Sequence, residues 1–501
     1  MTTSNELPTH TPARPALRTN ALGLGGAVIM SAAIMGPAVS TFFNPQFSTP
    51  FAGAATPFVY FACLVAMLIT ASGVMAMAAR LPSAGAFYTY VTRGLGPRSG
   101  FVTGGLMFVA YALLPPAEIG LIGSYVQGTL EAELGVHVPW WLLGLVPAAA
   151  MIFLAYEGIG SSIKTALVLF TAEVIVVMVI SIIVVVKKGA EGGLTLAPLS
   201  PHSSPHGVGG LVTGFVFAAL SFVGFEGAAT LSEEVRKPRR NVPRAILLSV
   251  ILVGGIYVFC IWAEVNGLGI EATNNLTGSA TPWNDLAAQY APWLNLFIVL
   301  AAVSSMFAVM VNSNNGIIRI FYAMGREGLL PRWFAHVNPK RKTPTNAVFT
   351  QGAFSIAVAM IVGALSGGLT STSGGSNVYG YLGFLLTLGI LPVYVLTNLA
   401  AIRFLRGRPD FNPFFHLVLP VVGIVLMTGL LVGQILLNTT EPYASFVYVI
   451  VAWVVVVAAG AYWLGRRRPE ALAVAGSVLA TGDAEVDVPA GTGATRSGNR
   501  T

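Results

Sequence analysis

Apolar residues fall in long runs along most of this chain, separated by short polar segments, and inside the runs they do not alternate with polar ones. A strand crossing a bilayer shows about ten residues of alternation, whereas a crossing helix needs roughly 20 predominantly apolar residues. The pattern therefore predicts helices, twelve of them, at residues 21–43, 55–79, 100–126, 138–156, 166–186, 209–231, 245–263, 293–322, 346–365, 379–401, 417–436 and 444–464. The first 20 residues are polar and rich in Pro and Thr, with no apolar core or cleavage site of a signal peptide. Residues 465–501 are rich in Ala, Gly and Thr with scattered charge, and like 1–20 they are expected to be a disordered tail.

Composition agrees. Only 9% of the 501 residues are charged, 55% are hydrophobic, and mean hydropathy is +0.74. Ordinary soluble domains carry about 25% charged residues, so too little polarity is present to coat a core of this size. That excludes a soluble enzyme, a disordered chain and a nucleic-acid binder, despite a net charge of +7. The chain is an all-α polytopic membrane protein. Its two cysteines, Cys63 and Cys260, lie in apolar runs and read as small buried hydrophobes.

Basic loops stay on the cytoplasmic side, and an even number of spans puts both termini on one side. With that side inside, Arg80, Arg93 and Arg98, the Arg236 to Arg244 cluster, Arg326 to Lys342, Arg403 to Arg408 and Arg466 to Arg468 all fall in the cytoplasm. Of the 27 basic residues only Lys187 and Lys188 land outside. Both termini are expected to be cytoplasmic, in a plasma membrane of bacterial type.

Two spans are interrupted. The first carries Met35-Gly36-Pro37 at its middle, the sixth Val223-Gly224-Phe225-Glu226-Gly227. Pro removes a backbone donor and clashes with the preceding turn; Gly costs about 1 kcal/mol against Ala. Backbone freed at membrane depth is tolerated where it lines a cavity or meets a ligand. Two breaks five spans apart suggest an inverted repeat of five helices, residues 21–186 against 209–401, with a site between the breaks. Residues 402–464 then add two further spans to the ten-helix core.

The motifs resemble those of the amino acid–polyamine–organocation (APC) transporters. Ile34-Met35-Gly36-Pro37-Ala38-Val39 is similar to that family's first-helix motif, Ile-X-Gly-Ser-Gly followed by Val or Ile. Leu81-Pro82-Ser83-Ala84-Gly85-Ala86-Phe87-Tyr88 is similar to its loop after the second helix. Residues 222–226, then Glu234, Pro238 and Pro243-Arg244-Ala245-Ile246, resemble its sixth helix and following loop. Arg319, Tyr322-Ala323-Met324, Arg326-Glu327-Gly328 and Leu330-Pro331 look like the end of its eighth helix. The resemblance covers roughly residues 20–465. It implies a LeuT-type 5+5 fold with twelve transmembrane helices, the first and sixth broken, and secondary active transport of an amino acid or related amine.

In that family the first break offers N–H groups to a substrate carboxylate and the sixth helix offers carbonyls to its amine. The resemblance thus implies substrate contacts at Ile34, Met35, Gly36, Ala38, Phe222, Val223, Gly224 and Phe225. A half-helix N-terminus does suit an anion and a C-terminus a cation. Here, however, Pro37 and Ala38 stand where Ser and Gly are usual, and Pro37 has no N–H. That leaves room for an amine lacking a carboxylate.

Three carboxylates lie well inside spans: Glu118, Glu173 and Glu226. A charge at the bilayer centre costs about 2.5–3.5 kcal/mol on insertion scales, so each must face a polar interior, be paired or be protonated. They are candidates for proton or ion coupling, the alternative for each being an interhelical hydrogen bond. By the resemblance, Glu173 falls where many proton-coupled members carry a lysine facing the first and eighth helices. Ser304 and Ser305 resemble positions that hold a cation in sodium-coupled relatives of the fold, although such serines commonly bond the preceding turn. A proton or sodium ion is the expected coupling partner. No cofactor is implied, and His202 and His206, in a Pro/Ser loop, read as solvated residues rather than a metal site.

Proton-coupled permease is the leading reading. An amine or organic-cation carrier coupled to sodium or working as an exchanger is the alternative, and a channel or sensor fits paired broken helices less well. A membrane enzyme lacks a metal cluster or nucleophile triad. A major-facilitator carrier would need acidic residues in the loop from Leu81 to Arg98, which has none.

Overall fold

The structure, a computed structural model, describes residues 22–82, 85–158, 163–232, 234–274, 281–326 and 328–467. The predicted N-terminal tail, most of the C-terminal one, and the motif residues Ser83, Ala84 and Glu327 lie outside these.

The first apolar run folds as α1 (Leu24–Ile34) and α2 (Pro37–Phe42), after which α3 (Asn44–Ala52) leads to α4 (Thr56–Ala78). Next come α5 (Ala86–Leu95), α6 (Pro97–Ala112), α7 (Leu114–Leu134), α8 (Trp140–Glu157) and α9 (Ile163–Ala190). The sixth run is again two pieces, α10 (Gly207–Leu220) and α11 (Gly227–Thr230), before α12 (Pro238–Leu268). Two short helices, α13 (Ile270–Asn274) and α14 (Pro282–Tyr290), precede α15 (Asn295–Arg326). The rest is α16 (Thr345–Ser366), α17 (Thr372–Leu405), α18 (Leu419–Leu436) and α19 (Tyr443–Arg467).

Among the described residues ten helical stretches are long and apolar enough to cross a membrane. The apolar helices that fall short of that length are α1 and α10, the leading halves of the two interrupted runs. The third run, expected as one helix, is divided at Leu113. Pro115 and Pro116 sit in the first turn of α7, where missing N–H groups cost nothing. Hydropathy also passed over α3, whose sequence carries two prolines, and α5, which is amphipathic and only ten residues long.

Packing places α4 against α12, and α7 against α17, at the centre. The second pair approaches backbone to backbone: a Cβ on Gly120 would lie 2.6 Å from the Gly375 carbonyl oxygen. Small residues at such crossings let two helices close on each other. Outside, exposed side chains such as Val146, Val168, Val425, Leu436 and Val455 present an apolar surface suited to lipid.

Three ties join segments that lie just beyond helix ends. Arg80, just past α4, pairs with Asp410 between α17 and α18. Arg341 pairs with Glu157 at 2.8 Å and lies 4.4 Å from the centre of the Tyr156 ring. Leu22 bridges Val235 in parallel, with Leu22 N–H donating to the Glu234 carbonyl (3.0 Å) and Arg236 N–H to the Leu22 carbonyl (2.8 Å).

The Arg80 guanidinium beside Asp410 holds that carboxyl below the usual carboxylate range. A group lowered in the folded protein stabilises it above the ordinary carboxylate pKa, and the contribution is lost as pH falls through the lowered value. Asp410→Asn should therefore lower the unfolding temperature slightly near neutral pH and not in strong acid. Equal differences at both pH values would contradict the pairing.

Candidate functional site

The two breaks meet. α1 stops at Ile34, and Gly36 turns the chain with φ +56°, a left-handed conformation that glycine adopts without strain. Pro37 then starts α2, its fixed φ suiting a first helical position. Beyond α10, residues 221–226 run as successive turns, with Gly224 at φ +105°. Gly224 lies against Ile34, so close that a Cβ there would be 2.6 Å from Ile34 Cγ2.

Hydrogen bonds join the same segments. Ser31 Oγ donates to the Phe225 carbonyl (2.9 Å). The Met35 carbonyl accepts from Ser40 Oγ (2.8 Å) and from Tyr257 Oη of α12 (3.0 Å). Tyr257 Oη also lies 3.1 Å from the Ser221 carbonyl. A phenol has one proton, so this single donor is shared between a carbonyl of each break.

Polar side chains extend the junction. Asn44 Nδ2 donates to Ser221 Oγ (2.8 Å), which also lies 3.1 Å from Tyr60 Oη, and Tyr379 Oη donates to Asn44 Oδ1 (2.6 Å). All of these residues are buried.

The three predicted carboxylates occupy different surroundings. Glu173 on α9 is buried with the Ser305 hydroxyl of α15 and the Ala38 N–H of α2 nearby. Val39 N–H donates to Ser305 Oγ (3.2 Å). In the first turn of α2, then, Pro37 has no donor and Val39 N–H is bonded to Ser305. Glu226 accepts from Tyr111 Oη of α6 and from Gly224 N–H (3.2 Å), so it fastens the second break onto α6. Glu118 on α7 is fully buried, and neither of its oxygens has a hydrogen-bond partner.

A cavity of about 230 Å³ opens between α1, α8, α9 and α15. Glu173, Ser304, Ala33, Phe170, Phe307 and Asn312 line it. The residues expected to touch substrate are nearby but do not line it. Phe222 packs edge-on against Tyr257 with ring centres 5.5 Å apart, and Phe225 packs on Tyr394 at 5.4 Å. Ile34, Met35, Gly36, Ala38, Val223 and Gly224 are brought together at the crossing of the breaks.

Sequence reasoning missed Tyr257, Tyr60, Tyr379, Asn44 and Ser221, and a fourth buried carboxylate, Glu264 of α12. Glu264 leaves Oε2 unpartnered, and the nearby Trp283 indole N–H donates instead to the Thr41 carbonyl (3.1 Å). Asn44 and Glu264 each sit one residue past a predicted apolar run, so a run ended by a polar residue was the available signal. Among the described residues no three of His, Cys, Asp and Glu converge as metal ligands.

A sequence profile described as amino acid permease matches residues 22–462. The chain is 28% identical over 398 residues to the low-affinity putrescine importer of Escherichia coli K12, covering 77% of this chain and 81% of that protein. It is 26% identical over 397 residues to a branched-chain amino acid permease of Bacillus subtilis strain 168, covering 74% and 76%. Human cationic amino acid transporter 4 is 26% identical over 423 residues, covering 78% of this chain and 60% of that protein.

Proposed function

We propose that this chain, which belongs to the amino acid permease family, carries an amine across the plasma membrane together with a proton that resides on Glu173. That it is a multi-pass secondary transporter of amino acids or amines, and not an enzyme, follows from family and relatives. The coupling ion and the architecture around it are our reading.

That architecture is the LeuT type. Two interrupted helices five spans apart, α1/α2 and α10/α11, support an inverted repeat of residues 21–186 and 209–401, twelve spans in all, with 402–464 as the added pair. The basic residues support cytoplasmic termini. In this frame the substrate occupies the crossing of the breaks, between Ile34–Ala38 and Phe222–Glu226, once the packed side chains there part.

One observation carries the coupling assignment: the buried Glu173 carboxyl lines a cavity, with Ala38 N–H and Ser305 Oγ nearby. As an anion it draws on the N–H groups that begin α2. With the cavity closed and water excluded, a bare anion there is too costly, and a proton must take its place. Pro37 has no N–H and Val39 N–H is taken by Ser305, so a substrate carboxylate would lack donors here, which favours an amine without one.

Oxygen ligands from Ser304, Ser305 and Glu173 favour a second reading, a sodium ion at this point. Glu173→Gln separates these from a structural role. In proteoliposomes the variant should keep exchange of labelled putrescine or leucine and lose accumulation driven by a pH gradient. Loss under a sodium gradient alone would select sodium, and undiminished gradient-driven uptake would make Glu173 purely structural.

A further inference from the structure

Two helix faces form most of the wall of the cavity beside Glu173. Thr165, Leu169 and Glu173 recur every fourth residue on α9, and Ser304, Ala308 and Asn312 do so on α15, so each set lies on one face. In the twelve-span arrangement the fifth and eighth runs cross the bilayer in opposite senses, and Ser305 stands near Glu173. Glu173 is thus level with Ser304, and Thr165 with Asn312. About 12 Å of helix separates the two levels, at 1.5 Å per residue.

Between those levels the walls are apolar: Ala33, Phe170, Phe307, Ala308 and Val311 contribute carbon. The cavity is therefore a slot with a carboxyl and a hydroxyl at one end, a hydroxyl and an amide at the other, and hydrocarbon between. No Lys, Arg or His is among its lining residues, so the acid meets no fixed cation there. Nor does any residue of Ile34–Ala38 or Phe222–Glu226 line it, which sets it apart from the crossing where substrate is placed. A carboxyl at the end of an apolar slot suits an ammonium on a hydrocarbon chain. The charge pairs with the acid while the chain removes apolar wall from water. A volume of about 230 Å³ holds roughly eight heavy atoms at water's share of about 30 Å³ each.

We propose that the slot is a second binding site, for a primary alkylammonium of about six to eight carbons. Its ammonium lies against Glu173 and Ser304, and its chain runs between α9 and α15 toward Asn312. The pairing takes the place of the proton, so an occupied slot stops coupled uptake. That consequence rests on the carrier reading above; the binding itself does not.

A chain-length series tests it. Binding of n-butylamine through n-decylamine, each against the alcohol of equal length, is measured on the purified full-length protein in lipid discs, with binding to protein-free discs subtracted. Affinity should rise about fourfold per methylene, the usual gain from burying one, and stop rising near heptylamine or octylamine. There the amine should bind about 30-fold tighter or more than its alcohol, the scale of a desolvated charge pair. Glu173→Gln should bring that ratio near one. Ala308→Leu adds an isopropyl group to the wall, so the series should stop about three methylenes sooner. Gly224→Leu, which disturbs the crossing, should leave amine binding unchanged.

Affinity that climbs steadily through decylamine, or amine and alcohol that bind alike, overturns the site, as does a ratio that survives in Glu173→Gln. Should the Gln variant not fold, the unmodified protein's series and the Ala308→Leu variant still decide. Heptylamine, but not heptanol, should also halt leucine or putrescine uptake driven by a membrane potential at equal pH. Continued uptake at saturating heptylamine would overturn the exclusion of the proton. A slot that binds as expected in a protein that transports neither compound would leave the site standing and sink the carrier reading.

Discussion

Gly36→Leu and Gly224→Leu should each reduce uptake by about 100-fold or more while the protein still reaches the membrane. At both positions φ is positive, a conformation that costs a residue with a Cβ about 1–2 kcal/mol. Space is the larger obstacle. A Cβ on Gly36 would lie 2.6 Å from Val309 Cγ2, wedging α2 away from α15, and one on Gly224 would lie 2.6 Å from Ile34 Cγ2. Overpacking of this kind typically costs a further 1–3 kcal/mol, and here the strain is released by separating the surfaces where the two breaks cross. Gly255→Leu is the control, because nothing stands within 4 Å of a Cβ on its outward face. Uptake normalised to surface-labelled protein is the measurement. Normal uptake in both break variants would place the substrate elsewhere.

Tyr257→Phe should lower uptake about tenfold or more. It removes one hydroxyl and keeps the ring that packs on Phe222 and Tyr60. That hydroxyl is shared between the Met35 and Ser221 carbonyls. Met35 would keep the bond from Ser40, whereas the Ser221 carbonyl would lose its Tyr257 donor. An unsatisfied buried acceptor costs about 1–3 kcal/mol, roughly a factor of 5 to 150 in a conformational equilibrium. The arrangement holding both breaks would become rarer relative to those in which they part. Since the packing is retained, the unfolding temperature should move little while uptake falls. Equal uptake would show that the shared donor has no part in the cycle.

The breaks were legible in the sequence because they arise from backbone chemistry. Gly36-Pro37 and the glycines flanking Phe225 disturb a helix wherever they occur, and hydropathy set the depth at which they do so. That Ala38 N–H comes near Glu173 was not legible, since it depends on how α2 is turned. Tyr257 was invisible for a related reason. A tyrosine in an apolar run reads as packing until the carbonyls above its hydroxyl are known. The third run was drawn as one helix because prolines at a first helical turn and prolines at a kink look alike in one dimension. Glu264 was passed over because the predicted span stopped one residue short of it.

The bridge between Leu22 and Val235 reaches beyond the site. It ties the segment leading into α1 to the segment leaving α11 through two main-chain bonds, so the two half-helices share a clasp independent of side chains. Substitutions at residues 22 and 235 therefore leave its bonds in place, apart from proline at 22, which would remove a donor. Shortening the chain is different. A protein trimmed to begin at Gly23 would lose both bonds, and a bulky fusion partner joined close to Leu22 would crowd the segment it pairs with. For purification handles and fluorescent reporters the C-terminal side, past Arg467, is the better place.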